Sequence, residues 1–367
     1  MKRYESAAMV FALILNAAAI ISFQMGIYLI PALPLFVASL AIVSWVIGRS
    51  SELVVVGLEG LALDLGFPSY SMGVLSSLAS TIPELTMTLM AVATGIEEMI
   101  EIAVIASLSS VGIGILLLSL VTFISSFKTG KASIEVPREV LTEELNAVVF
   151  TLSAYLVLSL LASAHLVLGD RGSFMPRGVG FILTTVYLSY LIRLFFSSDR
   201  REDKGKVKRE GSVEKSRKGS FGRSSVLVKL LVGLIGIFFA GWLIVSLTEN
   251  LVSRTGFQLV HAALALAAVG TIPEHGVAIV SAVKGKTELA FGNSIGGLTQ
   301  IALLVVGLIA SLTPVPIDAY VTTQFAVTSA SMLMLKFFVR DDGKIDIGEA
   351  LMMVALQILA FDVLLSA

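Results

Sequence analysis

The chain has 367 residues, 56% of them hydrophobic and 14% charged, with a formal net charge of −1 and a mean hydropathy of +0.92. So few charges cannot cover the surface of a soluble protein of this length, which excludes a soluble globular fold; no nucleic-acid partner is expected. The absence of cysteine excludes disulfides, thiolate metal sites and cysteine nucleophiles, and three scattered histidines, His165, His261 and His275, do not suit a zinc site.

Apolar runs of about 20 residues, the length needed to cross ~30 Å of hydrocarbon, recur along nearly the whole chain. The first follows Lys2 and Arg3, is too long for a signal peptide and lacks a cleavage site, so it reads as a retained helix. Eleven transmembrane spans are predicted, at about 6–24, 28–57, 68–94, 100–126, 144–168, 177–197, 224–248, 257–284, 288–312, 317–339 and 347–366. Between the sixth and seventh lies 198–223, rich in Lys, Arg, Glu, Ser and Gly, which reads as a solvated linker. Its interspersed acids argue for solubility over lipid binding.

Basic residues orient the spans. Lys2, Arg3, Lys128, Lys131, Arg138, the linker, Lys284, Lys286, Arg340 and Lys344 fall on one side; Arg171, Arg177, Arg254 and the acidic turn Glu97, Glu98 and Glu101 fall on the other. The N-terminus and linker are therefore expected in the cytoplasm and the C-terminus outside, in the plasma membrane of a prokaryote. Omitting the first span leaves five spans on each side of the linker, and an odd number per unit forces the two units to be inverted. The expected architecture is an all-α polytopic membrane protein: an extra N-terminal helix (1–27), a first five-helix repeat (28–197), the linker (198–223) and a second, inverted repeat (224–367).

A shift of 190 residues aligns the halves without a gap from Glu59 to Ser110, so that the signature segments are about 59–110 and 249–300. Glu59 meets Glu249, Leu61 meets Leu251, Gly66-Phe67 meets Gly256-Phe257, Gly95 meets Gly285, Glu98 meets Glu288, Ile105 meets Ile295 and Leu108 meets Leu298. Within this register Thr-Ile-Pro-Glu occurs twice, at Thr81–Glu84 and Thr271–Glu274. Apolar composition alone does not align glycines, a proline and acids.

A carboxylate one residue after a proline, inside a membrane helix, is costly twice over, through the backbone ladder and through the buried ionisable group. Pro83 and Pro273 are expected to interrupt their helices and free carbonyls near Ala79 and Ser80 and near Val269 and Gly270. With Glu84, Glu274 and the hydroxyls of Ser80, Thr81 and Thr271, these are hard oxygen ligands, suited to calcium, magnesium or sodium. Two carboxylates balance one divalent cation or two protons. As one coupled unit they would let protons and a divalent cation compete for a single site, which is sufficient for antiport by alternating access. A lone copy leans toward a site over a kink with a packing contact; two copies in register strengthen that reading.

The stretch Gly270–Val305, GTIPEHGVAIVSAVKGKTELAFGNSIGGLTQIALLV, resembles the second signature repeat of the cation/proton exchangers of the calcium/cation antiporter superfamily. Glu274-His275, Lys284-x-Lys286, Gly292, Gly296 and Thr299-Gln300-Ile301-Ala302 carry the likeness; Glu52-Leu53-Val54, Glu59-Gly60-Leu61 and Pro83-Glu84-Leu85 resemble the approach to the first repeat. The resemblance implies two inverted five-helix units and an extra first helix. It implies that Glu84 and Glu274 bind the transported cation, assisted by oxygens of Ser80, Thr81, Gly270 and Thr271, with Ser107, Gln300, Glu52 and Asn293 as accessory polar lining. It implies no cofactor and no catalytic residue; calcium and protons, or sodium, are the transported partners. Departures thin that lining: Val111 stands where the family has Asn, Gly297 where it has Ser, and Trp242 opposite Glu52. A thin lining suits proton exchange better than a site for several sodium ions, and a sodium/calcium exchanger of the same fold is the alternative. An intramembrane carboxylate protease is remote, because the repeated acids are glutamates and Asp64 has no matching partner.

Other acids have plainer readings. Arg49 and Glu52 are three apart and form either an ion pair or, for Glu52, a proton relay. Glu59 and Glu249 sit at span ends, Glu98 and Glu288 flank loops, and the turn Glu97, Glu98 and Glu101 either is solvated or draws cations to the outer mouth. His275 is turned about 100° from Glu274 and is expected to pack between helices, with proton sensing open.

Overall fold

A computed structural model describes residues 3–26, 31–64, 69–136, 144–168, 174–205 and 223–366. Lys2, Gly66-Phe67, Arg138, Arg171 and 206–222 of the linker lie outside the described residues, as do the side chains of Glu59, Asp64, Glu288 and Arg340.

The described residues form eleven helical rods. They are α1 (Arg3–Gln24), α2 (Ala32–Asp64), α3 (Ser69–Ala93), α4 (Glu97–Thr129), α5 (Leu145–Val167), α6 (Arg177–Gly205), α7 (Arg223–Thr255), α8 (Leu259–Val283), a rod of α9 (Thr287–Gln300), a π-helical turn (Ile301–Val305) and α10 (Val306–Leu312), then α11 (Ala319–Asp342) and α12 (Ile347–Ser366). Eight of them are long and apolar enough among the described residues to cross a membrane. The protein is an all-α, polytopic integral membrane protein of two inverted five-helix units behind a first helix.

Two expectations need correction. The sixth rod does not stop at 197: α6 runs to Gly205, because Arg200, Arg201, Glu202 and Lys204 are sound helix formers that stay helical outside hydrocarbon. Nor do the prolines interrupt their helices. Both α3 and α8 continue through Pro83 and Pro273. The cost is local: a proline supplies no N–H to the carbonyl four residues back, Ala79 in one helix and Val269 in the other.

The inversion is visible in how elements pair. Strand β1 (Ser133–Glu135) follows α4, and β2 (Phe174–Met175) precedes α6. Their repeat counterparts, β3 (Val315–Pro316) after α10 and β4 (Lys344–Asp346) before α12, belong to the other half. The pairs formed are β1 with β4 and β2 with β3, both antiparallel, so each half supplies one strand to each pair. Helices obey the same exchange: α2 packs on its counterpart α7, α5 on α11, α4 on α12 and α10 on α6. Gly95 and Gly285, one register position in the two halves, end α3 and α8 with φ of 70° and 74°, a left-handed turn that glycine adopts without strain.

Between membrane helices there is no gain from transferring apolar surface out of water, so close packing of small residues carries the association. The α2–α7 seam follows that rule. A Cβ on Gly233 would come within 2.7 Å of the Ser50 carbonyl oxygen, and one on Gly57 within 2.9 Å of Leu230 Cβ. The first helix is tied to the same pair, since Arg254, in the last turn of α7, donates to the carbonyl of Gln24 at 3.1 Å and caps the C-terminus of α1.

Gly233→Leu is therefore expected to wedge α2 from α7 and to cost at least the ~1–3 kcal/mol typical of overpacking. A lower thermal unfolding midpoint in detergent reads this out; an unchanged midpoint would mean the helices do not meet at Gly233.

Candidate functional site

The two Thr-Ile-Pro-Glu segments meet in the middle of the bundle, on α3 and α8, and they bond across the repeat. Thr81 donates its hydroxyl proton to Glu274 Oε1 at 3.0 Å, and Thr271 donates to Glu84 Oε1 at 3.0 Å. Ser80 adds a longer bond to Glu274 Oε1 at 3.3 Å. Each glutamate thus takes its hydrogen bonds from the opposite half of the chain. All five side chains are buried, with Glu84 and Glu274 each 3% exposed.

The geometry follows from helix periodicity. Thr81 and Glu84, like Thr271 and Glu274, are three apart and share a helix face. Once α3 and α8 cross face to face, the threonine of one stands against the glutamate of the other. Gly270, the counterpart of Ser80, makes room: a Cβ there would lie 2.6 Å from Glu84 Cγ and 3.0 Å from Met87 Cε. The two carboxylates come within interacting range of one another. Their second oxygens, Glu84 Oε2 and Glu274 Oε2, are buried and have no hydrogen-bond partner in the protein. Leaving such groups unpaired is expensive, so these oxygens are suited to taking a proton or a cation.

The donor set is all oxygen. The carboxylates keep lone pairs on Oε2, and a hydroxyl that gives its proton to a carboxylate keeps its own lone pairs for a cation. The Ala79 and Val269 carbonyls, deprived of amide donors by the prolines, lie one helical turn back. No group of three or more His, Asp or Glu suited to a metal ion occurs among the described residues, so two carboxylates and neutral oxygens are what this site can offer. That chemistry fits a hard cation or protons.

The remaining expected residues divide. Ser107 donates to Ala103 O at 2.7 Å and lines, with Glu84, Thr88 and Ser110, a cavity of about 20 Å³ between α3, α4 and α8, room for about one water molecule. The cavity runs along α3 from Glu84 to Ala91. Gln300 is fully buried on α9, one turn beyond Gly297, where an added Cβ would lie 3.3 Å from Glu274 Oε1. Asn293, half-buried, falls on the same stripe of α9 as Gly297 and Gln300. Glu52 does not belong to the site: its side chain is 62% exposed and pairs with Arg49 at 2.9 Å, which corrects the expectation of accessory lining in favour of the plain ion pair. Trp242, opposite it in the repeat, is exposed and packs on Phe239. His275 is fully buried over Gly114 and Gly297, its Nδ1 3.3 Å from Thr271 O, as a residue wedged between helices. Glu97 and Glu98 are exposed, and Glu101 stands beside Asp318, the N-cap of α11.

Thr88 was missed in the sequence. It lies four residues after Glu84 and donates to the Glu84 carbonyl at 2.7 Å, a spacing that could have flagged it.

Residues 225–361 match the family model of the sodium/calcium exchanger protein. No curated protein matches the chain in sequence. Among solved structures the fold resembles an H+/Ca2+ exchanger, CAX, with a TM-score of 0.69 and 18% identity over 99% of this chain and 89% of that one. It also resembles YfkE, with a TM-score of 0.64 and 15% identity over 97% of each chain. A third likeness is to the sodium-calcium exchanger NCX_Mj, with a TM-score of 0.58 and 20% identity over 89% of this chain and 98% of that one. At these identities the structural likeness is one of fold. The family match covers the Gly270–Val305 segment and the fold match spans nearly the whole chain, so the resemblance to the calcium/cation antiporter superfamily holds, and that family is one of exchangers, not of enzymes.

Because Gly270 leaves no room for a Cβ, Gly270→Ala is expected to displace the Glu84 carboxylate from Thr271 and to lower stability by about 1–3 kcal/mol. Ser80→Ala, at the counterpart position, adds no bulk and removes the 3.3 Å bond to Glu274, and is expected to cost less, about 1 kcal/mol. Thermal unfolding of both variants in detergent checks the order; equal midpoints would contradict the packing described.

Proposed function

We propose that the protein is a secondary antiporter that exchanges calcium, or a similar divalent cation, for protons at the Glu84–Glu274 pair. The observation that carries this reading is the reciprocal Thr–Glu arrangement, which leaves one buried, unpartnered oxygen on each carboxylate. A divalent cation bound between the carboxylates cancels their charge; two protons cancel it equally. The pair therefore prefers to be occupied by one or the other and not to be empty, which is the coupling that exchange requires.

The ligands on this reading are Glu84, Glu274, Ser80, Thr81 and Thr271 and the backbone oxygens about Gly270, with Ser107, Gln300 and Asn293 behind them. The exchange unit is the two repeats, 28–197 and 224–367, joined through 198–223, with α1 as an added helix. The bias of basic residues supports a cytoplasmic N-terminus and linker. In that orientation the small cavity beside Glu84, lined on α3 as far as Ala91, lies on the outer side of Glu84.

Proton coupling is favoured over sodium by what surrounds the carboxylates. Val111 and Gly297 offer no side-chain oxygen, and among the described residues the site has two acids, too few to neutralise several sodium ions at once. The sodium-driven reading is the second one, because the matched family model is that of sodium/calcium exchanger protein.

Calcium uptake into proteoliposomes, driven separately by a pH gradient and by a sodium gradient, distinguishes the two, and uptake driven by sodium alone would overturn proton coupling. Glu84→Gln and Glu274→Gln are each expected to lower calcium affinity about a hundredfold, or ~2.7 kcal/mol. Competition also fixes a sign: as pH falls on the loading side, protons occupy the carboxylates and the calcium KM rises, by up to about tenfold per pH unit for each competing proton. A KM independent of pH would remove protons from the cycle.

A further inference from the structure

The long rods α4 and α9–α10 are repeat counterparts, yet only one is regular. The α4 helix runs unbroken from Glu97 to Thr129, whereas its counterpart carries the π-helical turn Ile301–Val305. In that turn the Val306 N–H bonds back to Ile301 O, five residues away. A regular helix would direct it to Ala302 O. The Ala302 carbonyl, on a fully buried residue, thereby loses the Val306 N–H as its donor. Tyr155, on α5 and itself fully buried, takes it: the phenol donates to Ala302 O at 2.7 Å. The ring is held edge-on against Phe325 of α11, with centroids 5.6 Å apart. The donor thus comes from the first half of the chain, on a ring with no freedom to turn away.

A π-turn holds one residue more than an α-turn, so it offsets the helix on either side by about 100° of rotation. The residues just before this one, Gly297 and Gln300, share a helix face, and Gly297 packs on Glu274 Oε1. Beyond it, Gly307 of α10 packs against Thr184 of α6, where an added Cβ would lie 2.6 Å from Thr184 Oγ1. Rotation about the turn therefore decides whether α9 can present its glycine face to Glu274 while α10 stays locked on α6.

We propose that Tyr155 is a positioning residue for the cation site: by bonding the Ala302 carbonyl it holds the π-turn open and keeps the Gly297 face of α9 against Glu274. Without the phenol, the Val306 N–H returns to Ala302 O, the turn closes to α-helix and the wall beside Glu274 rotates away. This rests on the reading of Glu84 and Glu274 as the transport site, and it adds a residue far from the carboxylates that sets their affinity.

The test compares wild type, Tyr155→Phe, and Tyr155→Phe with Leu304 deleted, as full-length protein in proteoliposomes under a fixed pH gradient. Tyr155→Phe is expected to raise the calcium KM at least about tenfold with turnover per folded transporter within about threefold, a split that mere loss of folded protein does not produce. Deleting Leu304 removes the extra residue of the turn and is expected to restore KM to within about threefold of wild type. An unchanged KM in Tyr155→Phe, or a raised KM that the deletion leaves untouched in folded protein, overturns the inference. If wild type takes up no calcium under the pH gradient or, in a parallel run, under a sodium gradient, the transport reading fails. Calcium titration calorimetry on the purified proteins then applies the same criterion to Kd, and equal values in wild type and Tyr155→Phe overturn the role of Tyr155.

Discussion

Everything in this molecule is arranged around one reciprocal contact, a threonine from each half of the chain bonded to a glutamate of the other. Buried carboxylates are a poor source of stability. Taking them out of water costs several kcal/mol each after relaxation, and two like charges side by side add to that cost. Three hydroxyl hydrogen bonds offset part of it and leave one oxygen on each acid unsatisfied. The pair is better understood as a load that the surrounding helices are packed to hold. The glycine at 270 and the fully buried stretch of α4 against α8 keep water and lipid away from it.

The same contact explains why the chain is built twice. In each Thr-Ile-Pro-Glu helix the threonine bonds the glutamate of the other copy and not its own. A second copy of opposite direction supplies the missing donor, and inversion makes the supply mutual. Where the copies differ, the difference falls on the surroundings. Ser80 faces Gly270, Ser107 faces Gly297, and regular α4 faces the π-turn of its counterpart. The site is therefore close to symmetric in its charges and hydroxyls and asymmetric in the walls that press on them.

Much of this was legible in the sequence, for a physical reason. Prolines, glycines and acids are costly at membrane depth, so their recurrence in one register carries information that leucines do not. The rods, their inversion and the meeting of Glu84 with Glu274 follow from that. The misses have reasons too. Continuity of α3 and α8 through their prolines depends on neighbouring helices holding the backbone. Glu52 turned outward because Arg49, one turn back, is a nearer partner than the site. The strand exchange and the π-turn depend on residues about 150 or more positions apart, Ala302 with Tyr155 among them, and no local pattern announces them.

The two strand pairs limit how such a molecule can move. Each takes one strand from each half, and they sit in different corners of the bundle, one after α4 and one before α6. Jaws that swung apart as whole halves would have to unzip both. The close-packed glycine seam between α2 and α7 has no such stitching of strands. A displacement of that pair would leave both strand corners intact, and α1, tied to α7 through Arg254, would move with it.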